Sequence, residues 1–463
     1  MKKHLVWFRS DLRLHDHPAL QLASQDADHL VAVYIKCPQQ DEIHHRGKRQ
    51  LEFIEQNLQS LKISLQQNQV ELHILDCAAY TEVAPLLRRF IQQHQITALY
   101  AHHESGVNEA RRDQQVMQQI GIPFHILNGD CIITPGHVLT SDKTMFRVFT
   151  AFRNAWMKQL QHTGFTLTPL PATFKAGVNE ACQNREAHWP AGEKNALDQL
   201  QAFCLQYLVE YDEQRDFPEL DATSRLSPYL AIGAISAKQC LHGIQITLGY
   251  LPQSPGEKGF AWLNELVWRE FYRHLMHAYP QISKNSCFKA DMNRLHWLQD
   301  EQLFESWCMG LTGYPIVDAA MRCLKQTGRM HNRLRMIVAS FLTKDLQIDW
   351  RRGEQYFMQQ LIDADFASNN GGWQWAAGTG ADAAPYFRIF NPTLQGEKFD
   401  ARGRFIKQWI PELKMVPEKF IHKPHKWFKS KHITSRYPEP IVDHAIARKQ
   451  TLLRYQTIPG SSI

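Results

Sequence analysis

Lys48-Arg49-Gln50-Leu51-Glu52-Phe53-Ile54-Glu55-Gln56-Asn57-Leu58-Gln59-Ser60-Leu61-Lys62-Ile63-Ser64-Leu65, followed by Val70-Glu71-Leu72-His73-Ile74-Leu75, opens a pattern that runs through the first third of the chain. Leu51, Ile54, Leu58, Leu61 and Leu65 recur at helical spacing, and the short apolar run after them is strand-like. Similar apolar runs lie at Leu5–Phe8, Leu30–Ile35, Ala98–Ala101 and Pro123–Leu127, with helical stretches at Val83–Gln93 and Asn108–Gln119. Strands alternating with helices predict a parallel sheet covered on both faces. No Gly-x-Gly-x-x-Gly and no Gly-Lys-[Ser/Thr] loop follows the first strand, so the usual dinucleotide or triphosphate cradle is absent.

From Asn195 onward the strand signal disappears. Ile316, Val317, Ala320, Met321 and Leu324 form one helical stripe, and Leu334, Ile337, Val338, Phe341 and Leu342 form another within Met330–Lys344. Pro169–Glu193 carries Pro and Gly without a period and reads as a long connection. The expected fold class is therefore α/β plus all-α. Residues 1–130 form a Rossmann-like domain, 131–194 a linker, 195–435 a helical domain and 436–463 a short tail.

The 463 residues, 44% hydrophobic and 21% charged, have an ordinary globular balance, enough for two to four domains at roughly 100–200 residues each. Met336–Leu342, seven residues even counting Ser340, is far short of the roughly 18 that span a bilayer. Met1-Lys2-Lys3-His4-Leu5 lacks a signal-type stretch. Nine scattered cysteines with no Cys-x-x-Cys fit neither a disulfide framework nor a zinc module. The expectation is a cytoplasmic protein, monomeric, with no membrane partner and no metal. Net charge is +6, yet Gly396–Gln450 alone holds 13 Lys/Arg against 6 Asp/Glu, a basic segment suited to polyanions or simply a solvated charged surface.

Seven of the 12 tryptophans fall between Trp262 and Trp375, where even spreading would put about three. Core packing explains any single one. The cluster favours a flat aromatic ligand or stacked bases. Thr223-Ser224-Arg225-Leu226-Ser227-Pro228 offers hydroxyls, a cation and a helix start to an anion, although a plain helix cap explains Ser227-Pro228 equally well. Asp363-Ala364-Asp365-Phe366-Ala367-Ser368-Asn369-Asn370-Gly371-Gly372-Trp373-Gln374-Trp375 reads as a poor structural helix whose glycines allow close approach to a ligand. Asn332, Arg335 and Met336 adjoin on one helix and could line a cavity. Glu265, Trp268, Arg269 and Tyr272 stand at i, i+3, i+4 and i+7, where an ordinary buried helix would show aliphatics; the face reads as a binding wall.

Together with Val6–Asp16 and Thr312-Gly313-Tyr314-Pro315, these strings resemble the photolyase/cryptochrome family over residues 3 to 435, nearest to bacterial class I cyclobutane pyrimidine dimer photolyases of the folate-antenna type. The resemblance implies FAD, active when reduced, in the helical domain. Tyr211 and Thr223, Ser224, Arg225, Leu226 and Ser227 would hold its phosphates. Trp262, Glu265, Arg269, Asn332 and Arg335 would line the pocket, Asp363, Ala364 and Asp365 would contact the ribityl–flavin edge, and Asn369 would lie beside flavin N5. The implied reaction is light-driven: an electron passes from excited FAD to the dimer, the cyclobutane ring opens and the electron returns.

The implied partner is DNA containing such dimers. Glu265 would hydrogen-bond the pyrimidine edge, Trp268 and Trp375 would stack on the bases, and Tyr272, Asn332 and Met336 would complete the lesion pocket. Base flipping is a known behaviour of photolyases as a class. Arg215, Arg333, Gln395 and Lys398 would meet phosphates, which set position without reading sequence. Trp373, Trp350 and Trp297 match the family's electron-transfer chain to the surface. His44, Asn108, Glu109 and Lys284 fall where folate-type members hold methenyltetrahydrofolate. The rival reading is a cryptochrome, a signalling photoreceptor without repair. Asn369, Glu265, Trp268 and Met336 oppose it. A six-four photolyase is disfavoured because His331–Met336 lacks the histidine pattern expected there.

Overall fold

The computed structural model describes residues 1–174 and 189–458. Most of the expected connection, and Cys182 within it, lies outside the described residues. The chain folds into two compact units, one made of Met1–Asp212 with Thr223–Ser283 and the other of Glu213–Ala222 with Lys284–Ile463.

The first unit is built on a five-stranded parallel sheet of β1 (Lys3–Phe8), β2 (His29–Lys36), β3 (Glu71–Asp76), β4 (Ala98–His102) and β5 (Phe124–Leu127), in the order β3-β2-β1-β4-β5. All five expected strands are present. β1 is central, with Leu5 opposite Val31 on one side and Leu99 on the other. The expected helices appear as Lys48–Gln67, Val83–His94 and Val107–Gln119. Leu51 is a correction to the opening stripe. It is exposed, and Phe53 beside Ile54 takes the buried place.

The Arg9–Asp16 loop after β1 is pinned at several points. Arg13 donates to the carbonyls of Gly233 and Gly129 at 3.0 and 2.8 Å, while the Glu193 carboxylate accepts from the backbone of Leu14 and His15 at 2.7 and 2.9 Å. Gly233 has φ +68°, and a Cβ there would meet the Ser10 carbonyl at 2.1 Å, so no other residue fits this approach.

Asp11, His17 and His102 are buried together. His17 Nδ1 accepts from the Leu20 N–H at 3.0 Å and His102 Nε2 from the Ala19 N–H at 3.2 Å, so each ring carries its hydrogen on the other nitrogen. Those nitrogens turn to Asp11 Oδ2 at 3.1 and 2.8 Å. The trio is thus a cap for the helix Pro18–Gln25, and both ring lone pairs are already spent. Burial lowers His102 to about 4, which keeps it neutral.

The segment expected as a linker is part of the first unit where it is described. Its helix Phe149–Thr163 packs on the helix Phe260–Ala278, and Glu270 of the latter accepts from Trp156 Nε1 at 2.6 Å, from the Ile133 N–H at 3.2 Å and from the Ile132 N–H. A buried carboxylate that needs several donors draws the chain around it.

Among the described residues the second unit is helical. Its core gathers Trp307, Ile316, Val317, Leu334, Ile337, Phe341, Trp350, Phe357 and Trp373. Met330–Lys344 divides into the helix Asn332–Ser340 and a wider π turn, Phe341–Asp345. The string expected to be a poor helix folds as one, Phe366–Ala377. Asp365 caps it by accepting from the Ser368 N–H at 2.9 Å, and Glu354 accepts from Asn370 Nδ2 at 2.8 Å. The expected tail is also built in. Its helix His444–Gln456 buries Ala447, Thr451 and Tyr455; the Tyr455 hydroxyl donates to the Ala377 carbonyl at 2.6 Å and the Thr451 hydroxyl to the Lys344 carbonyl.

Candidate functional site

In the first unit the Phe260–Ala278 helix separates its faces as the spacing predicts. Leu263, Leu266, Val267, Glu270 and Phe271 are buried, while Glu265, Trp268, Arg269 and Tyr272 are half-buried along one side. Trp268 is braced from behind by Phe149, ring on ring at 3.5 Å and 5°. Arg269 is tied down: it donates to the Asp130 carbonyl at 2.8 Å and the Leu230 carbonyl at 3.3 Å, and with Arg273 it clamps the Asp130 carboxylate. Burial would raise Asp130, but the two arginines outweigh it and hold it below the usual carboxylate range. Next to Glu265, the buried Oδ1 of Asn264 has no hydrogen-bond partner among the described residues.

Trp262 and Tyr211 are buried on either side of Phe203, with ring centroids 4.7 and 5.7 Å away. In the loop from Thr223 to Ser227, Arg225 holds a left-handed backbone at φ +54°, uncommon for any side chain but glycine. The loop's carbonyls are taken inward, Ser224 by Gln199 Nε2 at 3.0 Å and Arg225 by Trp189 Nε1 at 3.2 Å. Thr223, Ser224 and Arg225 remain half-buried, Leu226 is buried and Ser227 is exposed. A rigid polar loop with its acceptors turned away suits an anion.

In the second unit Arg335 grips both oxygens of Asp363 at 3.0 and 2.8 Å and donates Nε–H to the Met330 carbonyl at 2.9 Å. Ala364 is buried behind Asp363. Asn369 donates Nδ2–H to the Glu354 carbonyl at 3.0 Å, which fixes the amide orientation, because a carbonyl only accepts. Asn369 therefore presents Oδ1 as an acceptor. Asn332 is exposed and Arg335 and Met336 are half-buried, the single face expected.

The expected phosphate contacts gather on this unit. Arg333 holds both oxygens of Asp216, the residue after Arg215, at 2.7 Å each. It also lies 4.4 Å over the ring of Phe399, which ends the helix Pro392–Phe399 carrying Gln395. Trp375 is half-buried against the same core. The three relay candidates grade outward. Trp350 and Trp373 are 0% and 2% exposed, and Trp297 is partly buried. Leu298, the residue after Trp297, bridges Ile348 in parallel register, two residues before Trp350. Trp350 opens the helix Trp350–Gln360, whose Gly353 faces the Trp373 ring; a Cβ there would meet Trp373 at 2.1 Å.

Of the antenna candidates, the first unit brings His44 and Glu109 together at 3.8 Å, with Asn108 adjacent in sequence and the Tyr80 hydroxyl donating to Glu109 at 3.4 Å. Glu109 is raised, by burial first and then by Glu104. Lys284 is exposed and belongs to the second unit. Sequence reading missed Tyr80, Phe149, Asp130, Asp216 and Glu354. Each meets its partner from 15 to 143 residues away, so no local pattern marked it.

The residues 4–174 match the family model described as DNA photolyase, and residues 262–457 match the FAD binding domain of DNA photolyase. The deoxyribodipyrimidine photo-lyase of Escherichia coli K12 is 46% identical, with 98% of this chain and 99% of that protein covered. This chain belongs to the DNA photolyase family. Among solved structures, the photolyase resembles a bacterial class III photolyase from Agrobacterium tumefaciens (TM-score 0.84, 34% identity, 99% and 98% covered). It resembles the Synechocystis cryptochrome as well (TM-score 0.85, 29% identity, 98% and 99% covered). Fold likeness is thus shared between repair and cryptochrome structures. In the photolyase no helix among the described residues is long and apolar enough to cross a membrane.

Proposed function

We propose that this chain is a deoxyribodipyrimidine photo-lyase that uses light to return cyclobutane pyrimidine dimers in DNA to two pyrimidines. The full-length similarity at 46% identity to a protein of that name carries the reading. Its support within the chain is the half-buried face of Glu265, Trp268 and Tyr272, an acid and two aromatics on one side of the Phe260–Ala278 helix.

The donor sets fit FAD. The Thr223–Ser227 loop and Tyr211 of the first unit suit phosphate, with Trp262, Glu265 and Arg269 lining the pocket. In the second unit Asn332, Arg335, Asp363, Ala364 and Asp365 suit the isoalloxazine and ribityl groups, and the acceptor Oδ1 of Asn369 would suit a ring N–H of the reduced form. The bound, reduced cofactor supplies the light-driven electron. Glu265 would hydrogen-bond the pyrimidine edge, and as a donor there it would counter the negative charge that develops on the dimer. Trp268, with one face fixed by Phe149, offers its remaining face to a base, as does Trp375, while Met336 and Asn332 pack against the lesion. Arg215, Arg333 and Gln395 position the phosphates. Trp297, Trp350 and Trp373 would offer oxidisable indoles between the surface and the bound cofactor, a route by which an electron could reach it. His44, Asn108, Glu109 and Lys284 hold a methenyltetrahydrofolate antenna, an acid and an amide suiting a pterin edge. The protein works as a monomer in the cytoplasm.

The test is repair of an oligonucleotide carrying one cyclobutane thymine dimer by chemically reduced enzyme, lit against dark. Return of the thymine absorbance only in the light is expected. No repair by enzyme shown to hold reduced FAD would overturn the reading in favour of a cryptochrome.

A further inference from the structure

Cys37 and Cys77 stand 40 residues apart in the chain and meet in the first unit. The parallel pairing of β2 with β3 ends with Lys36 opposite Asp76, and the Cys77 N–H carries it one step further by donating to the Lys36 carbonyl at 3.0 Å. The two cysteines that follow are therefore cross-strand neighbours at the C-terminal edge of the sheet. Adjacent strands lie about 4.8 Å apart, within the roughly 4.4–6.8 Å between Cα atoms that a disulfide requires. Both thiols are free, and their sulfurs meet at 2.9 Å.

Cys37 precedes the helix Pro38–Ile43, where a Ser, Thr, Asp or Asn would ordinarily accept from the first turn, and its side chain makes no such bond. Both cysteines sit instead in the apolar core of the sheet, with Val33, Val83 and Leu87. From each the chain leads to the face that brings His44 and Glu109 together. His44 ends the helix Pro38–Ile43, and Tyr80, just past Cys77, donates to Glu109. Between these two loops the Gln39 N–H reaches the Ala78 carbonyl only at 3.3 Å.

We propose that Cys37 and Cys77 are a redox modification site, closed by a peroxide into a reversible cross-strand disulfide that staples the His44 and Tyr80 loops. The site needs no part of the repair reading. Peroxide transfers one oxygen to the Cys77 sulfur, which becomes a sulfenic acid as a first water leaves. The Cys37 sulfur then attacks it, the S–O bond breaks, and the departing hydroxide takes the Cys37 proton as a second water. Two thiols are oxidised to one disulfide, and the peroxide O–O bond is reduced. Burial raises both thiols; the hydrogen bond between them raises Cys37 further and pulls Cys77 down, which makes Cys77 the sulfur oxidised first. Small thiols reopen the bond, so the dithiol is the resting form wherever thiols are kept reduced.

The experiment treats the full-length, FAD-loaded chain with hydrogen peroxide, blocks the remaining thiols with N-ethylmaleimide in denaturant and maps the peptides by mass. A linked Cys37–Cys77 peptide, two hydrogens lighter than the separate pair and absent after dithiothreitol, is expected. Closing a loop of this length in the unfolded chain should raise the melting midpoint by about 5 °C. Backbone amides of residues 38–44 and 77–82 should exchange more slowly in the oxidised form. Cys37→Ala should abolish the linked peptide and the rise in midpoint, and leave Cys77 as a sulfenic acid that dimedone traps. Cys308→Ser, at a half-buried cysteine, should leave the link in place. Should a variant fold poorly, the peptide map of the wild type still decides.

Peroxide-treated wild type in which both cysteines remain as maleimide adducts overturns the proposal. So does separate oxygenation of Cys37 and Cys77 without a link. A link that leaves both the midpoint and the amide exchange unchanged overturns the staple.

Discussion

Glu265 and Glu270 stand five residues apart on one helix and live in opposite conditions. Glu270 is 0% exposed and accepts from two backbone N–H groups and an indole, whereas Glu265 is half-buried on the open side. Both are acids amid aromatics, and both interrupt a pattern that a plain core helix would fill with aliphatics. One is spent on holding the fold, and the other is the acid proposed to meet the lesion. Helical spacing sorts them by face, but only the partners, more than 100 residues away in sequence, show what the inner acid does.

Glu270→Ala breaks the comparison hardest. It strands the Ile132 and Ile133 N–H groups and Trp156 Nε1, at about 1–3 kcal/mol for each buried group left unmade. A loss of about 3–5 kcal/mol in thermal or urea unfolding is expected. Glu265→Ala should stay within about 1 kcal/mol of wild type and retain FAD, yet lower the quantum yield of dimer repair. Equal destabilisation by the two would mean that Glu265 is also structural. An unchanged repair yield would remove its proposed role.

The second unit has its own inner acid. Burial raises Glu354 to about 7 from its ordinary 4.5, against the pull of Asn370 and Arg351. The folded state then keeps a proton that the unfolded chain releases. Stability from this site is present below about pH 4.5 and is lost as the pH climbs through 7, by up to about 3 kcal/mol. Glu354→Gln holds the hydrogen bonds without titrating, so its unfolding free energy should fall less between pH 5 and 7 than that of wild type. Parallel profiles would show that Glu354 is ionised throughout.

Smaller effects are expected where a charge is shared between fold and ligand. Arg333 already has a carboxylate, Asp216, so in its proposed role it would meet a phosphate partly neutralised. Arg333→Ala should weaken binding of dimer-containing DNA by about tenfold, or 1.4 kcal/mol, and Asp216→Asn should strengthen it by a few-fold. If both variants weaken binding, Asp216 orients Arg333 more than it competes for it.

The same division explains what was legible in the sequence. Five strands and three helices of the first unit were visible because periodicity is local and core packing enforces it. The Glu265–Tyr272 wall and the Asn332–Met336 face were visible for the same reason. The Phe366–Ala377 helix was not, since Asn370 and Gln374 look like loop residues until Glu354 is seen to satisfy the first and Asn370 the second. Nor was the built-in C-terminal helix, which depends on Tyr455 and Thr451 finding carbonyls about 80 and 110 residues upstream. Assignment of FAD and DNA residues drew on family resemblance, because fold and spacing alone give walls and faces and not their ligands.

Trp297 offers the least disruptive change and a sharp answer. Trp350 and Trp373 lie in the core, so replacing either mixes a packing cost of about 3–5 kcal/mol with any electronic effect. Trp297 only leans on that core from its edge, held in register by Leu298 against Ile348. Trp297→Phe keeps an aromatic ring there and removes the easily oxidised indole, so stability should move by less than about 1 kcal/mol. Photoreduction of oxidised flavin, followed by absorbance under blue light with an external reductant, should slow severely. Repair by enzyme reduced chemically beforehand should match wild type, because the dimer receives its electron without the relay. Photoreduction at the wild-type rate would detach Trp297 from the relay and leave it as an edge-packing residue; loss of chemically primed repair would place it in the repair step itself.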